Sequence, residues 1–340
     1  MIFVSHSGRA VWVFLCGLLL VPAAAWGAAD ISQEAAALLA RARERSDIRA
    51  QGSPPFLLRA RVRLLNVPDG PVEGRYEELR DSRGHWRRAI SVPDLKFNVI
   101  EVGDGRRIHR ASTTTYQPYF EYRMRELLSL GDGPRIPRSE DVTTIAKRTV
   151  RGRPATCLQS RKKGTKREVC VESETGLLVS EREHSGDAKW TFEYLNYAPF
   201  GARSYPRLMR QREQKKVFVE IEITELTTGA EPAASVFRPP ARAVDWPDCE
   251  KPFPPEALET PQPRYTRGMR RFRGRGAVMT YIVVGIDGKA YHVTPIRSDA
   301  FSLTKATLDT ISHHWRFRPA MCQGEPVPAS IFIETAFYLF

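Results

Sequence analysis

The cysteines carry the first chemical signal in this chain. Of the five, Cys16 lies in an apolar amino-terminal run, which leaves Cys157, Cys170, Cys249 and Cys322. An even set of thiols suggests disulfides in a chain exported to an oxidising compartment. Cys157 and Cys170 flank Arg161-Lys162-Lys163-Gly164-Thr165-Lys166-Arg167, a polar stretch with glycine near its centre. If Lys163 and Gly164 form a two-residue hairpin loop, the two cysteines face each other on a non-hydrogen-bonded rung, where side chains approach most closely. The Cα separation on such a rung, about 4.5 Å, lies near the short edge of the disulfide range. Cys249 with Cys322 then follows by exclusion. Four unpaired buried thiols are the alternative. Zinc is disfavoured, because no C-x-x-C or H-x-x-x-H spacing accompanies the cysteines.

Other reactive side chains do not converge. His292 and the pair His313-His314 stand isolated, and neither a nucleophilic triad, a metal spacing nor a phosphate loop can be read. The sequence therefore offers no catalytic, cofactor-binding or metal residues, and the expectation is a binding protein rather than an enzyme. Charge is the stronger signal. The chain has 52 Lys and Arg against 39 Asp and Glu, a formal net charge of +13, and such a chain is drawn to anionic surfaces. Arg264, Arg267, Arg270, Arg271, Arg273 and Arg275 form a dense basic patch. It is either a solvated loop or a contact for acidic lipid, glycan or protein loops, each exposed pair being weak and salt-sensitive.

The amino terminus decides which anionic partners are accessible. Residues 1–9 hold one positive charge and no acid, residues 10–21 are apolar, and Pro22 precedes the small-residue stretch Ala23-Ala24-Ala25-Trp26-Gly27-Ala28-Ala29. That is the pattern of a secretory signal peptide, cleaved after residue 27 or 29. An uncleaved membrane anchor is the rival, since residues 10–29 could almost cross a tilted span. Export to the periplasm sets lipid, glycan and protein against nucleic acid as partners, and makes the disulfides reasonable.

These groups need elements to hold them. Residues 31–48 place Ile31, Ala35, Leu38, Leu39 and Ala42 on one helical face. From residue 56 to 110 short alternating segments with Pro-Asp-Gly, Asp-Ser-Arg-Gly and Gly-Asp-Gly turns read as strands. Residues 116–130 return to helical spacing, with Phe120, Met124, Leu127 and Leu128 on one side. Strands resume from 142 to 226, about eleven in all. The class is α+β, with a curved antiparallel sheet wrapped around helices.

The order of elements over residues 30–242, with the Glu174-Thr175-Gly176-Leu177 turn and the closing Phe237-Arg238-Pro239-Pro240, resembles the LolA-like lipoprotein-sorting superfamily. The resemblance implies a half-barrel over residues 28–242 enclosing an apolar cavity for acyl chains. Phe120, Met124, Leu127 and Leu128 either line that cavity or simply fill the core. Residues 243–261 are proline-rich and read as an extended linker with few contacts.

Beyond the linker the motifs are denser. They run Gln262-Pro263-x-Tyr265, Gly276-x-Val278, Asp287-Gly288-Lys289, Trp315-Arg316-Phe317-x-Pro319 and Gly324-x-Pro326-Val327. A strand, a strand, a helix capped by Ser302 and a last strand over 330–340 accompany them, with Trp315 as the expected core anchor. Residues 262–340 closely resemble the carboxy-terminal domain of the TonB family. The resemblance implies a small β-β-α-β domain that binds an outer-membrane receptor, or another envelope protein, by adding a partner segment as an extra strand. Carried over by position, the partner-binding residues are Gln262, Tyr265, Ile331, Ile333, Thr335, Phe337 and Leu339. Tyr265 is followed by Thr266 where the family usually has proline. The expected function is a periplasmic TonB-like protein serving TonB-dependent transport. The alternatives are a lipid or lipoprotein carrier and a membrane-anchored energy transducer.

Overall fold

A computed structural model describes residues 23–340 apart from 67–69, 104–106, 131–137, 163, 186–187, 248, 250–251, 265–275, 300 and 338–340. The signal-peptide core, Tyr265, five of the six arginines of the basic patch and Leu339 lie outside the described residues. Among the described residues no helix is long and apolar enough to cross a membrane.

The chain opens on α1 (Ala23–Ser46), which starts earlier than the helical spacing alone suggested. It continues through β1 (Phe56–Leu64), β2 (Val72–Arg80), β3 (Trp86–Val92), β4 (Phe97–Gly103) and β5 (Arg107–Ser112) to α2 (Tyr119–Leu128). A second meander follows: β6 (Val142–Val150), β7 (Arg153–Lys162), β8 (Thr165–Glu172), β9 (Leu178–Ser185), β10 (Ala188–Phe200), β11 (Arg203–Glu213) and β12 (Lys216–Thr228). The first and last of these strands, β1 and β12, pair with each other and join the two meanders into one antiparallel sheet.

With β13 (Val244–Pro247) added beside β5, the sheet has 13 strands and two open edges, β13 and β6. An open sheet of that width must curl. Because β5 and β6 lie at opposite ends of it, the connection between them has to cross the sheet, and α2 is carried over the inner surface against β11 and β12. The alternation in β1 explains the curvature's two faces. Phe56, Leu58, Ala60, Val62 and Leu64 point inward and are buried, whereas Arg59, Arg61 and Arg63 point outward. Outside, Arg59 pairs with Glu77 at 3.0 Å and Glu225 at 2.7 Å, and Arg63 pairs with Glu220.

The cysteine arithmetic holds. Cys157 faces Cys170 across β7 and β8, with their Cα atoms 4.0 Å apart and a disulfide between them. Cys249 and Cys322 form the second bridge, with Cα atoms 6.1 Å apart.

Residues 243–261 are not a contact-poor tether. They contain β13, docked on β5, and β14 (Glu256–Glu259), paired with β17 (Arg316–Arg318). Phe253 bridges to Met321, and Cys249 is bonded to Cys322. Proline forbids helix here but tolerates edge strands, so a proline-rich segment could be laid down as an extended strap.

The carboxy-terminal part contains β15 (Gly276–Val284), β16 (Ala290–Ser298) and α3 (Phe301–His314). Three short strands then intervene, β17, β18 (Ala320–Cys322) and β19 (Glu325–Val327), before β20 (Ala329–Phe337). Helical spacing had carried α3 one position too far: it ends at His314, which is exposed, and Trp315 is only partly buried. Phe317, two residues on, is the buried anchor, packed with Ile282, Val284 and Ile311.

Candidate functional site

The three-stranded sheet of the carboxy-terminal part runs β16-β15-β20. Register along β15 and β20 is continuous, from Gly276 opposite Phe337 to Val284 opposite Ala329. β20 has a strand neighbour on one side only among the described residues. Its backbone edge is therefore the free one, and it presents exposed Glu334 and Ala336.

Alternation divides the β20 side chains between two faces. Ile331 and Ile333 pack toward the α3 side, and Thr335 and Phe337 are buried. These four, expected to meet a partner, spend their side chains on the local core, so what β20 offers outward is main chain. Gln262 and Arg264 are exposed beside the carboxy-terminal half of α3. They are held there in part by Trp315, whose indole N–H donates to the Pro261 carbonyl at 3.1 Å. The Asp287-Gly288 and Trp315-Arg316-Phe317 motifs meet directly. The Phe317 N–H donates to the Gly288 carbonyl at 2.9 Å, and a Cβ on Gly288 would come within 2.2 Å of the Phe317 carbonyl oxygen. Gly288 has φ of +74°, a conformation that residues with a Cβ rarely adopt, so glycine suits this turn.

The other face of β20 and β15 looks into the half-barrel. Phe332 and Tyr281 reach an aromatic cluster made by Tyr119 and Tyr122 of α2 and Trp190 of β10. The ring centroids lie 5.2 Å apart for Tyr119 and Tyr281, and 5.8 Å apart for both Tyr122 and Trp190 with Phe332. At its centre sits Arg123, 3% exposed. Its guanidinium carbon is 4.8 Å from the Trp190 ring centroid and 5.1 Å from those of Tyr119 and Phe332. A carboxylate from Glu126 balances it at 2.6 Å. Beside the cluster, the Tyr281 hydroxyl donates to the Gln117 carbonyl at 2.9 Å, and the Ile286 N–H donates to the Tyr116 hydroxyl at 3.3 Å. Sequence reading missed Phe332 and Arg123. An arginine in a charged helix counts as a solvated charge, and only the sheet curvature turns it inward.

The four residues proposed to line an acyl cavity are core. Met124, Leu127 and Leu128 are buried in the main cluster, and Phe120 packs edge-on against Phe97 at 4.9 Å. The interior is also ionic. Arg110 binds Glu101 and Glu121, each at 2.7 Å, and Arg125 binds both at 2.6 Å. Burial works to raise the Glu101 carboxyl, but Arg125 and Arg110 outweigh it and hold it below its ordinary range. Glu78, wholly buried, is likewise pushed up by burial and pulled well below normal by Arg49 and Arg88. Glu213 goes the other way, raised by burial that Arg123 only partly offsets.

Solved structures similar to this chain include a LolA superfamily protein from Nitrosomonas europaea (13% identity, 60% of this chain and 97% of that one, TM-score 0.39). A putative outer membrane lipoprotein-sorting protein domain from Vibrio parahaemolyticus is comparable (14% identity, 60% and 97%, TM-score 0.40). The Pseudomonas aeruginosa MucA/MucB complex matches over 75% of this chain and 81% of that one, at 15% identity and a TM-score of 0.25. No curated protein matches the chain. Residues 261–339 match the family model described as Gram-negative bacterial TonB protein C-terminal, over the stretch that carries the motifs set out above.

Proposed function

We propose that this is a periplasmic, TonB-like protein that binds an envelope or outer-membrane protein by β-strand addition, in transport of the TonB-dependent kind. In this reading the half-barrel is a cargo-binding or spacer unit. The observation that carries the reading is the one-sided pairing of β20 at the margin of a TonB-type segment. An unpaired edge is an aggregation hazard unless it is covered or used, and main-chain hydrogen bonds from an added strand supply affinity whatever the partner's side chains. The arginine patch at 264–275 would speed encounter with an acidic partner. Carriage of lipid draws no support from Phe120, Met124, Leu127 and Leu128, which are occupied with one another and their neighbours.

Successive residues of a strand direct their N–H groups to opposite edges. Of Ile333→Pro and Glu334→Pro, one therefore removes an outward donor. A photo-crosslinker placed at Ala336 in intact envelopes should trap a protein partner that a crosslinker at Lys305, exposed on α3, does not. One of the two proline variants, checked as folded by circular dichroism, should lose that crosslink by tenfold or more. Retention of the crosslink in both folded variants would rule out strand addition at this edge.

A further inference from the structure

A cleft of about 220 Å³ lies at the seam between the half-barrel and the carboxy-terminal sheet. One wall is Trp86, Arg88, Glu101, Arg110 and Arg125 from β3, β4, β5 and α2; the other is Val283, Pro328 and Ser330. Neither unit alone encloses it. Trp86 can lie flat in the wall because Gly103 opposite has no side chain; a Cβ there would come within 2.2 Å of the indole.

The three guanidiniums differ in how fully they are paired. Arg110 and Arg125 share Glu101 and Glu121 at 2.6 to 2.7 Å. Arg88 is less well served. It stacks over Trp86 at 4.3 Å and reaches Glu78 only at 3.3 Å. Glu78 is already engaged by Arg49 at 2.5 Å and by the Tyr76 hydroxyl at 2.8 Å. The Arg88 Nε is buried and has no hydrogen-bond partner among the described residues.

Charge points the same way. Two groups of charges lie behind the cleft: Arg110 and Arg125 are matched by Glu101 and Glu121, whereas Arg49 and Arg88 share the single carboxylate of Glu78. Extending the second group to Arg80 and Asp47, which also couple to Glu78's surroundings, adds one of each sign. Arg123, Glu126 and Glu213 do not line the cleft. One positive charge is left over at the Arg49–Arg88–Glu78 group, and an uncompensated, partly buried charge is costly. A planar carboxylate matches the arginine fork. The volume is below the roughly 300–1,000 Å³ of drug-sized sites, and Ile108 and Val283 make part of the lining apolar.

We propose that this seam cleft binds a small organic monocarboxylate, its carboxylate on Arg88 and its apolar end between Ile108 and Val283. A dianion would over-neutralise the single surplus charge, and a neutral ligand would leave it uncompensated. Because the two walls belong to different parts of the chain, an occupant would hold them together.

Benzoate and butyrate titrated into the full chain, with inorganic phosphate and benzyl alcohol alongside, test this. Calorimetry should detect both carboxylates with a Kd of about 1 mM or tighter, and little response to benzyl alcohol. The Trp86 indole N–H resonance, assigned with Trp86→Phe, should shift on benzoate addition to the unsubstituted protein. Arg88→Gln should weaken benzoate at least tenfold, whereas Arg83→Gln, an exposed arginine on the neighbouring turn, should not. The proposal fails if neither carboxylate binds by about 10 mM, or if phosphate or benzyl alcohol binds as well as benzoate. It also fails if the Trp86 resonance stays fixed while benzoate binds. Should Arg88→Gln misfold, that resonance alone decides.

Discussion

Glu78 and Glu101 show how individual carboxylates hold the interior of this protein. Both are buried, and both keep their charge because arginines outweigh desolvation. A carboxyl whose folded pKa is depressed contributes stability that is present above its unfolded value, near 4.3, and is lost as pH falls toward the folded value. Glu213, raised by burial, has the opposite sign: its contribution is present at low pH and is lost as pH rises above the unfolded value. The paired carboxylates outnumber it, so the free energy of unfolding should decline steeply below about pH 4.3. Denaturant titrations at a series of pH values would measure this, and Glu78→Gln should flatten the acid limb. An unchanged acid limb in that variant would show that the Glu78 charge does not set the acid sensitivity. None of this was legible in the sequence. Glu78 sits among charged residues that look solvated and Glu101 is a single charge in an apolar strand, and burial is decided by which face of the curled sheet closes.

At the scale of elements, α3 and the segment after it show where local spacing succeeds and where it stops. Helical spacing puts Leu303, Ala306, Thr307, Thr310, Ile311, His314 and Trp315 on one inward face; Leu303, Thr307 and Ile311 are buried, Ala306 and Thr310 are half-buried, and His314 is exposed. The same count assigned Trp315 to that face, but the helix ends at His314 and the chain becomes extended. Phe317 then enters the core with Ile282, Val284 and Ile311, while Trp315 caps the segment through its hydrogen bond to Pro261. Phe317→Ala should therefore cost about 3–5 kcal/mol, and Trp315→Ala distinctly less. Equilibrium unfolding of the two variants orders them. A larger loss for Trp315→Ala would mean that the tryptophan, not Phe317, is the anchor. β20 teaches the complementary lesson. Its alternation predicted one apolar face, and Ile331, Ile333 and Phe337 do share it, but that face is committed to the local core. Phe332, on the face that alternation marks as outward, is docked against Trp190 and Arg123.

For the whole molecule, the consequence lies in the seam. Reading residues 243–261 as a free linker leads one to expect two units that melt independently. The strap instead pairs with β5 and β17 and is bonded to Cys322, and Met279, Tyr281 and Val283 belong to the same buried cluster as the half-barrel interior. We expect a single thermal transition for the intact chain. Phe332→Ala removes the ring that joins the Arg123 cluster, at a cost on the order of 3 kcal/mol, and should split that transition in two or move the carboxy-terminal part to lower temperature. Calorimetry on both proteins reads this out directly. Two independent transitions in the unsubstituted chain would show that the seam contributes little.

Local chemistry was enough to determine much of this protein. The polar stretch around Gly164 pointed to a hairpin that puts Cys157 opposite Cys170, as the Lys162–Thr165 pairing bears out, alternation in β1 sorted Phe56 to Leu64 between two faces, and the ordered motifs from Gln262 to Val327 marked the TonB-type segment. Each depends on neighbours close in sequence or on a pattern of period two, and these survive without knowledge of distant contacts. Tertiary structure alone decided what the inside of the half-barrel contains. Whether Arg88, Arg110, Arg123 and Arg125 meet water or carboxylates depends on a sheet of 13 strands curling around α2. Whether Phe332 is exposed or enclosed depends on a strand from the far end of the chain closing over that same helix. The ion pairs are close in sequence, but the enclosure that makes them interior comes from contacts such as Phe332 with Tyr122 and Trp190 and Arg203 with Ser53, 150 positions away, and nothing in the local spacing of either partner encodes those meetings.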